Sequence, residues 1–175
     1  MDFKKFIVIP VFIALLAAAF IVIDQVISAY MPIADNKGFG WVTFQAWAMY
    51  FLAGCTVKGG ARTFLGYVLG ILSAILIINL AGAVNSKFWA VPLAVLVMVI
   101  PMCSMERAHS LIDFVPAIFV SSAVYFAFTQ IYPSTTTPVS MGITILVYCA
   151  LGMILGFITI WLRAAYEKSV AKVVI

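Results

Sequence analysis

The chain has 175 residues, 66% of them hydrophobic and 9% charged, with a formal net charge of +4 and a mean hydropathy of +1.20. A soluble domain carries about 45–50% apolar and about 25% charged residues, so a water-soluble enzyme with a charged surface is excluded. The same figures exclude intrinsic disorder, which needs an apolar-poor, charge-rich chain.

In chain order the sequence offers six apolar stretches, Phe6–Tyr30, Trp41–Val57, Thr63–Val84, Phe88–Cys103, Leu111–Tyr132 and Val139–Leu162. A membrane-spanning helix needs about 20 such residues. Polar or turn-forming breaks separate them at Met31–Gly40, Lys58–Arg62, Asn85–Lys87, Ser104–Ser110 and Pro133–Pro138. The pattern predicts an all-α polytopic membrane protein with about six transmembrane helices in one domain, residues 1–175. The second and fourth stretches are short, so four- and five-span arrangements stay open. The first run is too long for the apolar core of a secretory signal, about 7–15 residues, and it lacks a small-x-small exit, so it reads as a span.

Charge sets the expected orientation. With six spans and a cytoplasmic N-terminus, Lys4, Lys5, Lys58, Arg62, Arg107, Arg163, Lys168 and Lys172 fall inside, against Lys37 and Lys87 outside. Basic residues gather on the cytoplasmic side, so both termini are expected there. Anionic headgroups on that face account for the excess of positive charge without nucleic acid as a partner.

The three cysteines, Cys55, Cys103 and Cys149, and the single histidine, His109, make neither a disulfide framework nor a metal-ligand spacing. No phosphate loop, zinc-protease helix or nucleophile elbow is present. The expectation is therefore no enzyme, no cofactor and no metal.

A shift of 48 residues aligns Trp41 with Trp89, Cys55 with Cys103, Thr56 with Ser104 and Ser73 with Ser121. This self-match suggests a parallel hairpin repeat, a feature of many transport folds, with chance matching in an apolar background as the alternative. Small residues line two helix faces, Gly66-x-x-x-Gly70 and Gly152-x-x-x-Gly156. Such faces let helices approach closely. One is expected to pack inside the protomer and the other to serve a subunit interface, which makes a homo-oligomer the expected assembly. Pro101 and Pro116 are expected to bend the two arms around the fourth break by removing backbone hydrogen bonds.

Ionisable groups within spans are costly and point to function. Asp24, near the outer end of the first span, reads either as a solvated helix end or as a mouth carboxylate. Glu106, His109 and Asp113 share helical spacing and read either as a capped, salt-bridged loop or as a gate or proton-linked relay. Uncharged polar residues mark a candidate solute path: Gln45, Tyr50, Ser73, Asn79, Ser121, Ser122, Tyr125, Thr144 and Tyr148, with Gln130 at the outer end of the fifth stretch. Trp47 is placed to narrow it. The alternative use of such residues is hydrogen bonding between helices.

Three segments carry a family resemblance. Phe51-Leu-Ala-Gly-Cys-Thr-Val-Lys-Gly-Gly60, leading into the Gly66/Gly70 helix, resembles the second-to-third helix turn of a bacterial inner-membrane family catalogued as domain of unknown function 1097. The run Leu111–Ala127 resembles that family's Phe-Val-Pro-Gly-x-Phe segment, with Ala117 in place of the glycine. The Ala150–Gly156 segment and the basic tail after it fit as well, and the likeness covers residues 41–172. It implies a small multi-pass protein of the bacterial inner membrane and supplies no catalytic residues.

The functional expectation is a membrane channel or facilitator for a small neutral or weakly ionised solute. A proton- or ion-coupled transporter and a non-transporting accessory or scaffold subunit remain open beside it.

Overall fold

The computed structural model describes residues 3–33, 38–132 and 136–172. Lys37 and Pro133 of the expected loops lie outside them, as do the side chains of Lys4 and Lys172. Among the described residues the chain is all-helical. After a single turn at Phe3–Phe6, six helices follow: α1 (Val8–Ile27), α2 (Gly40–Leu52), α3 (Val57–Ala83), α4 (Ala90–Ser104), α5 (Val115–Ile131) and α6 (Pro138–Lys172).

The six apolar stretches become six helices, but not six of spanning length. Four are long and apolar enough to cross a membrane: α1 with its 3-10 extension to Tyr30, α3, α4 with its extension to Arg107, and α6. The 13 residues of α2 rise about 20 Å, well short of a hydrocarbon core of about 30 Å. The 17 residues of α5 fall just short of it.

Three boundaries differ from those read in the sequence, each for a local reason. The break expected at Lys58–Arg62 lies inside α3. The chain turns earlier, at Ala53–Thr56, where Gly54 takes a left-handed φ of +96° and Cys55 one of +58°. The Thr56 hydroxyl then accepts from the Gly59 amide at 2.9 Å and caps α3. The fifth helix starts at Val115 rather than Leu111, and Pro116 lies in its first turn, where a proline forfeits no helical bond. Pro116 therefore does not bend an arm, whereas Pro101 sits inside α4. The last helix continues past Leu162 to Lys172.

The helices pack as two parallel pairs around α3. In the first, α3 lies on α5, with Gly66 against Ala117 and Gly70 against Ser121 and the Ile118 carbonyl. In the second, α2 lies on α6, with Gly152 against Thr43, Ala46 and Trp47, and Gly156 against the Tyr50 ring. Both small-residue faces are thus used within the chain; neither is left over for a subunit interface. Helix α3 also contacts α4 and α6, and α1 lies outside on α6.

Hydrogen bonds reinforce both close approaches. Ser122 Oγ donates to the Gly70 carbonyl at 2.8 Å, and Thr43 Oγ1 donates to the Tyr148 carbonyl at 3.0 Å. In each expected hairpin, α2–α3 and α4–α5, the arms pack mainly on helices other than each other. Neither hairpin is a packed unit by itself.

Candidate functional site

A cavity of about 510 Å³ opens between α3, α5 and α6, at the end of the bundle that also carries Asp24. Its wall is mixed: Ile75, Ile78, Val91, Phe126 and Met141 give it a largely apolar lining, into which polar side chains are set. Asn79, Tyr125, Thr129, Gln130, Tyr132, Thr136 and Thr137 all reach it, and among the described residues no carboxylate, lysine, arginine or histidine lines it. Helical spacing explains the arrangement: Tyr125 and Thr129 stand one turn apart on α5, where side chains at i and i+4 share a face.

Much of this polar lining is unspent. The side chains of Asn79, Tyr125 and Gln130 have no hydrogen-bond partner among the described residues. Thr129 and Thr136 donate to the Phe126 and Tyr132 carbonyls at 2.7 and 3.0 Å, which leaves their oxygens free to accept. The cavity therefore offers amides that both donate and accept, a phenol and hydroxyl acceptors. That set can replace the hydration of an uncharged solute and supplies no counter-charge for an ion.

Two further recesses flank the bundle. One, of about 530 Å³, lies between α2 and α5 and is lined by Gln45 and Trp41. The other, of about 440 Å³, lies towards the opposite end between α2, α3 and α6, lined by Tyr50, Gly60, Phe64 and Met153. On α3 and α6, the residues between the polar cavity and this second groove are buried: Tyr67, Gly70, Ile71 and Ala74 on one helix, Ile145, Tyr148 and Cys149 on the other.

The expected path residues divide accordingly. Asn79, Tyr125 and Gln130 meet at the cavity. Ser73 bonds back to the Leu69 carbonyl at 2.8 Å and Thr144 to the Ser140 carbonyl at 2.8 Å, so each serves its own helix. Ser121 and Ser122 belong to the α3–α5 contact. Trp47 is buried among Phe44 and Phe51, and its indole N–H has no partner among the described residues. It lines none of the three recesses described above.

Tyr148 donates instead to Asp24 Oδ1 at 2.7 Å. Asp24 Oδ2 also lies where a Cβ on Gly40 would stand, at the start of α2. A carboxylate is favoured at that positive helix end. Asp24 is thus not a freely solvated helix end but a half-buried tie between α1, α2 and α6. Beside this tie, the fully buried Phe39 ring stacks on Phe128 at 3.8 Å and packs near Tyr132 and Tyr148.

The Glu106–His109–Asp113 relay does not assemble. Residues 105–107 form a short 3-10 turn and the following segment is not helical, so the helical spacing on which the relay rests is absent. His109 Nδ1 accepts from the Leu111 amide at 3.3 Å. Asp113 pairs with Arg62 at 2.8 Å, joining the start of α3 to the segment before α5. The Arg62 guanidinium also lies 5.5 Å from the centre of the Phe114 ring. By composition Arg62 belongs to a loop, and its place inside α3 is what brings it to Asp113.

The family described as "Protein of unknown function (DUF1097)" matches residues 11–164. The chain belongs to this family. No curated protein and no solved structure matches it. The Ala117 noted in the sequence packs its methyl directly on Gly66 of α3, so the glycine of that helix pair comes from the partner helix.

Sequence reading missed Tyr67, Thr129, Thr136 and Thr137. Thr136 and Thr137 fall in the expected break at Pro133–Pro138, whereas Thr129 lies inside the fifth stretch, two residues before the end of α5. Tyr67 adjoins Gly66 of the small-residue face, and its signal, a hydroxyl inside an otherwise apolar run, was present.

Proposed function

We propose that this DUF1097 protein is a multi-pass facilitator of the bacterial inner membrane, passing a small neutral or weakly ionised solute through the α3–α5–α6 cleft. The observation that carries the reading is the cavity of about 510 Å³ lined by uncharged polar groups, of which Asn79, Tyr125 and Gln130 have no hydrogen-bond partner among the described residues. Placing polar side chains in such helices is costly unless a partner helix or a solute uses them. The excess of basic residues at the Arg62 end supports a cytoplasmic placement of that end, and with it the reading of the cavity as an external vestibule.

The coupled-transport reading has less support. Asp24, Glu106, His109 and Asp113 do not line the vestibule, and Asp113 already has Arg62 as its counter-ion. An accessory role through glycine faces loses its surface, since both faces are occupied within the chain.

The test is flux in liposomes containing the purified protein, across urea, ammonia, short-chain acids and polyols at several pH values. Transport of at least one solute above empty vesicles is expected. Rates equal to empty vesicles for the whole panel refute the reading.

A further inference from the structure

Three phenols mark three depths of the bundle. Tyr50 lies against Gly60 of α3, with its ring carbon 3.2 Å from a Cβ built there, and lines the groove at the Arg62 end. Tyr67 is on α3 itself. Because Gly66 faces Ala117 and Gly70 faces Ser121, one turn further Ala74 stands level with Tyr125, which lines the polar cavity. Residues 60, 67 and 74 are seven apart, so they share one face of α3 at steps of about 10 Å.

Tyr67 is the anomalous member. It is 0% exposed, and its hydroxyl has no hydrogen-bond partner among the described residues. A buried hydroxyl without a partner is destabilising, and phenylalanine would fill the same volume without that cost. An unspent hydroxyl in the layer that separates a polar cavity from a groove implies that the partner arrives in another state.

We infer that Tyr67 is the mid-membrane contact point of the solute path, its hydroxyl bonding an uncharged donor–acceptor solute as that solute passes between the two recesses. This rests on the facilitator reading and sharpens it. The layer of Tyr67, Ile145 and Cys149 is the closed point, and its opening gives Tyr67 its partner while exposing Cys149 to water.

Two measurements on the full chain in liposomes test this. The first compares Tyr67→Phe with the parent protein in melting temperature and in flux over the solute panel. The melting temperature is expected to hold or rise, while flux falls about tenfold, the loss of one hydrogen bond in the passing state. Unchanged flux overturns the inference and leaves the facilitator reading standing. The second places Cys149 as the sole thiol, with Cys55→Ser and Cys103→Ser, and applies a small membrane-impermeant methanethiosulfonate. Cys149 is buried, so labelling of the folded protein supports an opening at this layer, and its absence over hours overturns it. Should the parent protein carry none of the solutes, the facilitator reading falls, and the labelling decides on the opening by itself.

Discussion

Replacing Gly70 with alanine tests the packing that positions the vestibule. A Cβ at this position would fall on Ser121 Oγ and the Ile118 carbonyl, the second of which is backbone and cannot rotate aside. Helices α3 and α5 must then separate. Separation weakens two bonds across the contact, Ser122 Oγ to the Gly70 carbonyl at 2.8 Å and Ser121 Oγ to the Gly66 carbonyl at 3.4 Å. Each such bond between membrane helices contributes about 0.6 kcal/mol. Overpacking a tight contact adds about 1–3 kcal/mol. The expected loss is therefore about 2–4 kcal/mol in all. Gly82→Ala is the matched control, because a Cβ there meets nothing within 4 Å. It should be neutral or slightly stabilising, as alanine is the better helix former. Both are read by reversible denaturation in mixed micelles, followed by circular dichroism. Equal stability of the two variants would refute the assignment of Gly70 as a contact point and, with it, the parallel α3–α5 pairing.

Gly152→Ala should cost as much as Gly70→Ala, since its Cβ would lie 2.5 Å from the Thr43 carbonyl oxygen; stability equal to the parent in the same denaturation assay would count against the α2–α6 pair. For Arg62 and Asp113, each about a quarter exposed, a double-mutant cycle with alanine at both should give a favourable coupling of about 0.2–1 kcal/mol; zero coupling removes the pair as a tie. Tyr148→Phe should destabilise by about 1.5–3 kcal/mol through the lost bond to the Asp24 carboxylate. Asp24→Asn should cost less, because its amide oxygen still accepts, and the reverse order in melting temperature would contradict the geometry. Asn79→Leu combined with Gln130→Leu should leave melting unchanged while lowering solute flux, and unaltered flux would remove both from the vestibule.

The number and approximate position of the helices were legible because apolar length and turn residues act locally. The end of α2 was not. Lys58, Gly59, Gly60 and Arg62 look like a loop by composition, yet Thr56 caps a helix that runs through them. Their glycines are there for contact, Gly59 against the Ala53 backbone and Gly60 against Tyr50. The small-residue faces were legible as faces but not as to partner, because sequence spacing shows that a helix can be approached and not by which neighbour. The charged cluster misled for a related reason. Asp113 has helical spacing from His109, but its partner Arg62 is 51 residues away, beyond any local pattern. Of the candidate path, Asn79, Tyr125 and Gln130 converge at the cavity, while the serines and Thr144 return to backbone carbonyls. Serine and threonine inside helices do this readily, so their presence alone does not separate lining from packing.

The pairing of α2 with α6 has a consequence for how the protein is made. Thr43 and Tyr148 are 105 positions apart, and α2 is too short to remain across a bilayer without support. At about 5–20 residues per second, several seconds of synthesis separate α2 from the helix that receives it. During that interval Thr43 and the unfilled side of α2 need a temporary host, in the insertion machinery or at the membrane interface. Biogenesis should therefore be most sensitive to substitutions that make α2 more polar, even where the finished bundle would tolerate them.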